Sequence, residues 1–140
     1  MKSITLLLLV VTLGVCATPP IEERCALPTS PPFVYLDHSP GTPPPGRKLD
    51  ASAVTALQTL LTNNLRRLSR PVNLLNPGGP PITPEKVIQI VDHKGTNHSQ
   101  VLLLPGLLHY SGDFATQDKK VIAEFLKIVA PPKRQRSNPK

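Results

Sequence analysis

The sequence predicts a mostly α fold, a small bundle of three to four helices set between a disordered Pro-rich N-terminal arm and a basic C-terminal tail. Three observations carry this expectation. Val54, Leu57, Leu61, Leu65 and Leu68 recur at three- and four-residue steps, the spacing of one helical face. Phe114, Val121, Ile122, Phe125, Ile128 and Val129 form a second such stripe, with Lys119, Lys120, Glu124 and Lys127 largely off it. Thr83-Pro84 and Gly95 bracket a third apolar segment in the manner of a helix start and stop.

Residues 1–17 read as a secretory signal peptide. Lys2 precedes an apolar run over 4–15, and Val15 with Ala17 fits a small-residue cleavage site. The run is shorter than the roughly 20 residues that span a bilayer, so no stable membrane insertion is expected. Cleavage there leaves 123 of the 140 residues, enough for one small domain. Residues 18–48 form the arm. Nine of the eighteen prolines fall between positions 19 and 45, and proline donates no backbone hydrogen bond to a helix or a sheet.

The domain proper is expected over 49–130. Its first helix runs over 50–70, with Asp50 as N-cap, Pro71 as stop, and Arg66, Arg67 and Arg70 near the carboxyl end, where the helix dipole favours cations. The polar side of this helix is mainly Thr, Gln, Asn and Ser, whereas membrane-surface helices carry Lys and Arg there, so its leucines are expected to face a core. Residues 73–81, rich in Asn, Gly and Pro, read as a loop. A helix over 84–94 follows from the start and stop signals and from the spacing of Val87, Ile90 and Val91. The alternative is an α+β arrangement with a hairpin at about 86–104. Val87-Ile88-Gln89-Ile90-Val91 is β-branched, and Val101-Leu102-Leu103-Leu104 could pair with it. If 84–94 is helical, the Leu-rich stretch to 108 becomes a short helix broken at Pro105-Gly106. The last helix lies between 113 and 130, ended by Pro131, and the basic tail occupies 131–140.

The net charge of +7 does not mark a nucleic-acid reader. Lys133, Arg134, Arg136 and Lys140 concentrate it in the tail. The aromatics are only Phe33, Tyr35, Tyr110, Phe114 and Phe125, too few for a basic face with stacking rings. Loss of Cys16 with the leader leaves Cys25 as the single thiol, with no intrachain partner. A lone cysteine in an oxidising compartment points to an intermolecular disulfide, to an extracellular protein or to a second copy in a homodimer. The bland alternative is a tolerated exposed thiol.

No motif identifies a chemistry. His38, His93, His98 and His109 stand outside any metalloprotease or nucleophile-elbow pattern. His109, Ser111 and Asp113 hold the residue types of a hydrolase triad, but alternate spacing does not make them converge. Asp92, His93 and His98 hold donor types for a metal, and a polar turn explains them equally well. No cofactor is implied. Two features belong to secretory processing. Asn97-His98-Ser99 is an N-glycosylation sequon in a polar loop. Gly46-Arg47-Lys48 resembles the signal at which peptide-hormone precursors are cut after paired basic residues and amidated using the glycine, which would release a peptide ending in Pro45 amide. The expected function is that of a secreted, non-enzymatic protein binding another macromolecule in extracellular interaction or signalling. The alternatives are a precursor cleaved at Arg47-Lys48 and, third, a secreted enzyme with no recognisable motif.

Overall fold

The computed structural model describes residues 24–70 and 78–132. The leader at 1–17, the loop at 73–77 and nearly all of the tail lie outside these residues. The bundle expectation is corrected: the protein is an antiparallel seven-stranded sheet with two helices against one face. The strands are β1 (Val34–Asp37), β2 (Arg47–Lys48), β3 (Arg66–Arg67), β4 (Lys86–Val91), β5 (Asn97–Leu104), β6 (Leu107–Tyr110) and β7 (Phe114–Thr116). The helices are α1 (Ala51–Asn64) and α2 (Lys119–Val129). The sheet order is β2-β1-β4-β5-β6-β7-β3. β4 to β7 form a meander, β1 joins its open side, and α1 connects the two borders.

The expected helix over 84–94 is strand β4 and the turn after it. Its apolar residues lie on both sides of the segment, which suits a strand inside a sheet better than a one-sided helix. Ile88 and Ile90 face the helices, and Val87 and Val91 the other way. The glycine that reads as a helix stop is the turn of the β4–β5 hairpin. Gly95 has φ +80, and the Asp92 carboxylate accepts from the amides of Lys94 at 2.8 Å and Thr96 at 2.9 Å. The short helix up to 108 is likewise replaced by the β5–β6 hairpin. Pro105 and Gly106 form its two-residue turn, with the positive φ at glycine that a Pro-Gly type II turn requires.

Both stripes nearest the ends of the domain fold as helices, shorter than expected. Asp50 caps α1, accepting from the amide of Ala53 at 2.8 Å, and Val54, Leu57, Leu60 and Leu61 are buried. The helix stops at Asn64 rather than 70, because Arg66 and Arg67 leave to pair with β7 and the Leu68 amide bonds the Asp113 carbonyl. Phe114 belongs to β7. α2 begins only after Asp118, whose carboxylate caps it, and buries Val121, Phe125 and Val129.

The disordered-arm expectation is also corrected where the structure describes it. A proline-free tetrad, 34–37, becomes an inner strand between β2 and β4, with Tyr35 only 1% exposed. The Tyr35 hydroxyl donates to the Pro28 carbonyl at 2.6 Å, and Gln58 of α1 donates to the same oxygen at 2.9 Å. The folded unit therefore starts well before residue 49. One face of the sheet and both helices make the main core, which includes Cys25, Tyr35, Ile88, Val101, Leu108 and Phe125. By register, the opposite face carries Val34, Leu36, Val91, Leu102, Leu104 and Ala115, with Gln89, Gln100 and His109 among them.

Candidate functional site

The two places where polar chemistry is concentrated lie on opposite faces of the sheet. The first surrounds Asp37, which lies at the end of β1 on the helix face and is only 2% exposed. One carboxylate oxygen accepts from the Ser39 amide at 3.0 Å and from the Ser39 hydroxyl. The other accepts from the Arg47 guanidinium at 3.1 Å. Ser39 in turn receives the Val87 amide at 3.4 Å, and Arg47 also donates to the Val129 carbonyl at the end of α2. Burial alone would raise the Asp37 carboxyl. The bonds from Ser39 and Arg47, with the Lys86 charge, outweigh it and hold the carboxyl below its usual range.

This cluster decides the form of Gly46-Arg47-Lys48. The triplet is not a solvated linker: Arg47 and Lys48 are β2, paired with Asp37 and Leu36. Gly46 has φ +94 just before the strand, and a side chain there would meet the Asp37 carbonyl and the His38 ring at 3.0 Å. Arg47 thus ties two strands and a helix end together. An open cavity of about 390 Å³ beside it is bounded by Asp37, Thr42, Arg47, Lys86 and Pro131.

The second place is centred on His109 in β6. It sits across from Leu102 of β5 on one side and Ala115 of β7 on the other, on the face away from the helices. His109 is 3% exposed, and neither ring nitrogen has a hydrogen-bond partner among the described residues. Burial lowers its pKa, favouring the neutral imidazole. The ring lines a cavity of about 300 Å³ together with Asn97, His98, Ser99, Gln100, Leu102, Ser111 and Gly112. The cavity follows from two local irregularities. β5 carries one extra residue, His98, between the positions paired with Ile90 and Val91. The β6–β7 turn places Ser111 and Gly112 at positive φ, with the Ser111 amide bonded to the Gln100 carbonyl.

The sequence-predicted sites fall as follows. Asn97 is exposed at the start of β5, on the rim of the His109 cavity. Cys25 is a free cysteine and fully buried in the main core, where desolvation pushes its thiol up to about 11. A thiol so placed stays protonated at neutral pH, and a disulfide to a partner requires the segment around it to open. Among the described residues no hydrogen bond joins His109, Ser111 and Asp113. The Asp92 carboxylate is occupied by the hairpin turn, and no group of three or more His, Cys, Asp and Glu is gathered among the described residues. Asp37 and Ser39 were not visible as site residues from sequence. The one available signal was the Asp-x-Ser spacing that closes a side-chain turn.

No helix among the described residues is long and apolar enough to cross a membrane. No protein-family model, curated protein or solved structure matches the chain.

Proposed function

We propose that the chain is a secreted, non-enzymatic protein that acts intact, by binding another macromolecule outside the cell. The observation that carries this reading over the precursor reading is the state of Arg47-Lys48. Processing proteases need a flexible stretch of backbone across the cut, and here both residues are paired in the sheet while Arg47 is held by buried Asp37 and by Val129. Recognition rather than catalysis is supported by how the buried polar groups are used. Of the four buried polar residues, Asp37, Ser39 and Ser99 spend their hydrogen bonds on neighbouring strands, turns and Tyr110, and the fourth, His109, has no acid, base or nucleophile hydrogen-bonded to it among the described residues. The burial of Cys25 favours non-covalent association with the partner.

Intact-mass spectrometry of the natural product, combined with digestion by a protease specific for paired basic residues, tests the reading. The expected result is a chain that runs through residues 46–48 uncut and resists the protease, whereas Asp37→Asn, which removes the ion pair and leaves Arg47 only the Val129 carbonyl, is cut faster at the same site. Recovery of a fragment ending in amidated Pro45 overturns the proposal.

A further inference from the structure

We infer that Asn97 is the acceptor for an N-linked glycan, and that transfer is confined to the interval before strand β5 is paired. The inference rests on the secreted reading above, since the donor, an oligosaccharide carried on a polyprenyl pyrophosphate, is met in the secretory lumen. The carboxamide nitrogen of Asn97 bonds to the anomeric carbon of the first sugar and gives up one proton. The bond from that carbon to the lipid pyrophosphate breaks, and the pyrophosphate leaves with the electron pair.

The fold treats the two ends of Asn97-His98-Ser99 in opposite ways. Asn97 is exposed at the first position of β5, on the rim of the cavity that Gln100 and Ser111 help to line, so a bulky sugar there displaces no core side chain. Ser99, whose hydroxyl the sequon requires, is paired with Ile90 on the helix face and only 8% exposed. Its hydroxyl accepts from the Tyr110 hydroxyl at 3.2 Å. His98 between them stands edge-on to Phe33, with ring centroids 4.8 Å apart. β5 is an inner strand, held by β4 on one side and β6 on the other. A transferase that must read Asn97 and Ser99 together cannot do so on this sheet. Transfer to the folded chain requires β5 to leave both neighbours, and its rate is scaled down by the population of that opened form. The interval before pairing is short, because β4, β5 and β6 are joined by hairpins and meet through local contacts.

The test has two arms. In cultured animal cells the chain is made with its own residues 1–17 and, separately, with a proven leader in their place. The expected product in either medium carries a glycan at Asn97, mapped by mass spectrometry after amidase release, which leaves aspartate at that position, and Asn97→Gln lacks it. A secreted chain with unmodified Asn97 overturns the inference. Glycosylation with the substituted leader alone, while the natural chain stays in the cytosol, overturns the secreted reading and spares this one. In the second arm, residues 18–140 made in bacteria, folded and free of glycan, are presented to a microsomal transferase with its lipid-linked donor. Beside them stand Phe125→Asp, which puts a carboxylate at a fully buried core position and prevents folding, and a peptide of residues 93–103. Both unfolded acceptors should be glycosylated at least about tenfold faster than the folded chain. The peptide keeps the comparison decisive if the variant aggregates. Equal rates for the folded and unfolded acceptors overturn the folding gate.

Discussion

His109 makes the protein's stability depend on pH in a direction that its surroundings dictate. Burial between Leu102 and Ala115 disfavours the charged ring, so its folded pKa lies below the unfolded value. As pH falls below about 6.5, the unfolded chain takes up a proton that the folded chain refuses, and stability drops by up to about 1.4 kcal/mol per pH unit until the folded pKa is passed. Asp37 acts at lower pH and with the same sense. Its carboxyl is depressed in the fold, so the stability it contributes is present above the ordinary carboxylate range and lost as pH falls through the folded value. Urea unfolding at pH 7.5 and pH 5.5 separates the two groups. The midpoint should fall between these values in the native chain, and His109→Leu should remove most of the fall. An equal fall in that variant would assign the effect elsewhere.

At the scale of elements, the glycines before β2 and after β4 both have positive φ but differ in their surroundings. Gly46 has the Asp37 carbonyl and the His38 ring within 3.0 Å of where a Cβ would stand, whereas Gly95 has nothing within 4 Å. Gly95→Ala should therefore cost about 1 kcal/mol, the left-handed conformation alone. Gly46→Ala should cost more, about 2–3 kcal/mol, because a backbone oxygen must also move. Thermal unfolding of the two variants side by side measures the difference, and equal losses would show that the contact at Gly46 relaxes freely. The same elements show what the sequence made legible. The stripes of α1 and α2 were readable because a helix against a sheet keeps its own 3.6-residue period. Strand β4 was readable only as the alternative, a hairpin at about 86–104, because Thr83-Pro84 and Gly95 punctuate a hairpin as well as they punctuate a helix. The choice lay with pairing to β5, which local spacing does not record. The tetrad at 34–37 was hidden by its proline-rich flanks and acquires one partner, β2, across the next loop and the other, β4, from a distant part of the chain. The candidate site divides in the same way: His109 and Asn97 stood out as residue types, but their place on one cavity wall depends on a bulge and a turn.

The whole molecule is assembled from both sides of the Gly46-Arg47-Lys48 triplet. Residues before it supply Cys25, Tyr35 and an inner strand, and residues after it supply both helices and the meander. A chain beginning at Leu49, the boundary the sequence suggests, should accordingly lose its fold. β4 would become an unprotected border, and the core would lose Tyr35 from its center. Circular dichroism and the cooperativity of urea unfolding check this, and a sharp transition in the shortened chain would restore 49–130 as an autonomous domain. The sheet's two borders have a further consequence. β2 is Arg47-Lys48 and β3 is Arg66-Arg67, so each margin is two residues long and wholly cationic. A margin so short and so charged is a poor template for strand addition from another molecule. The protein is thereby guarded against fibrillar self-assembly at both ends of the sheet, and replacing the border arginines with threonine or valine is the change that would expose it to that hazard.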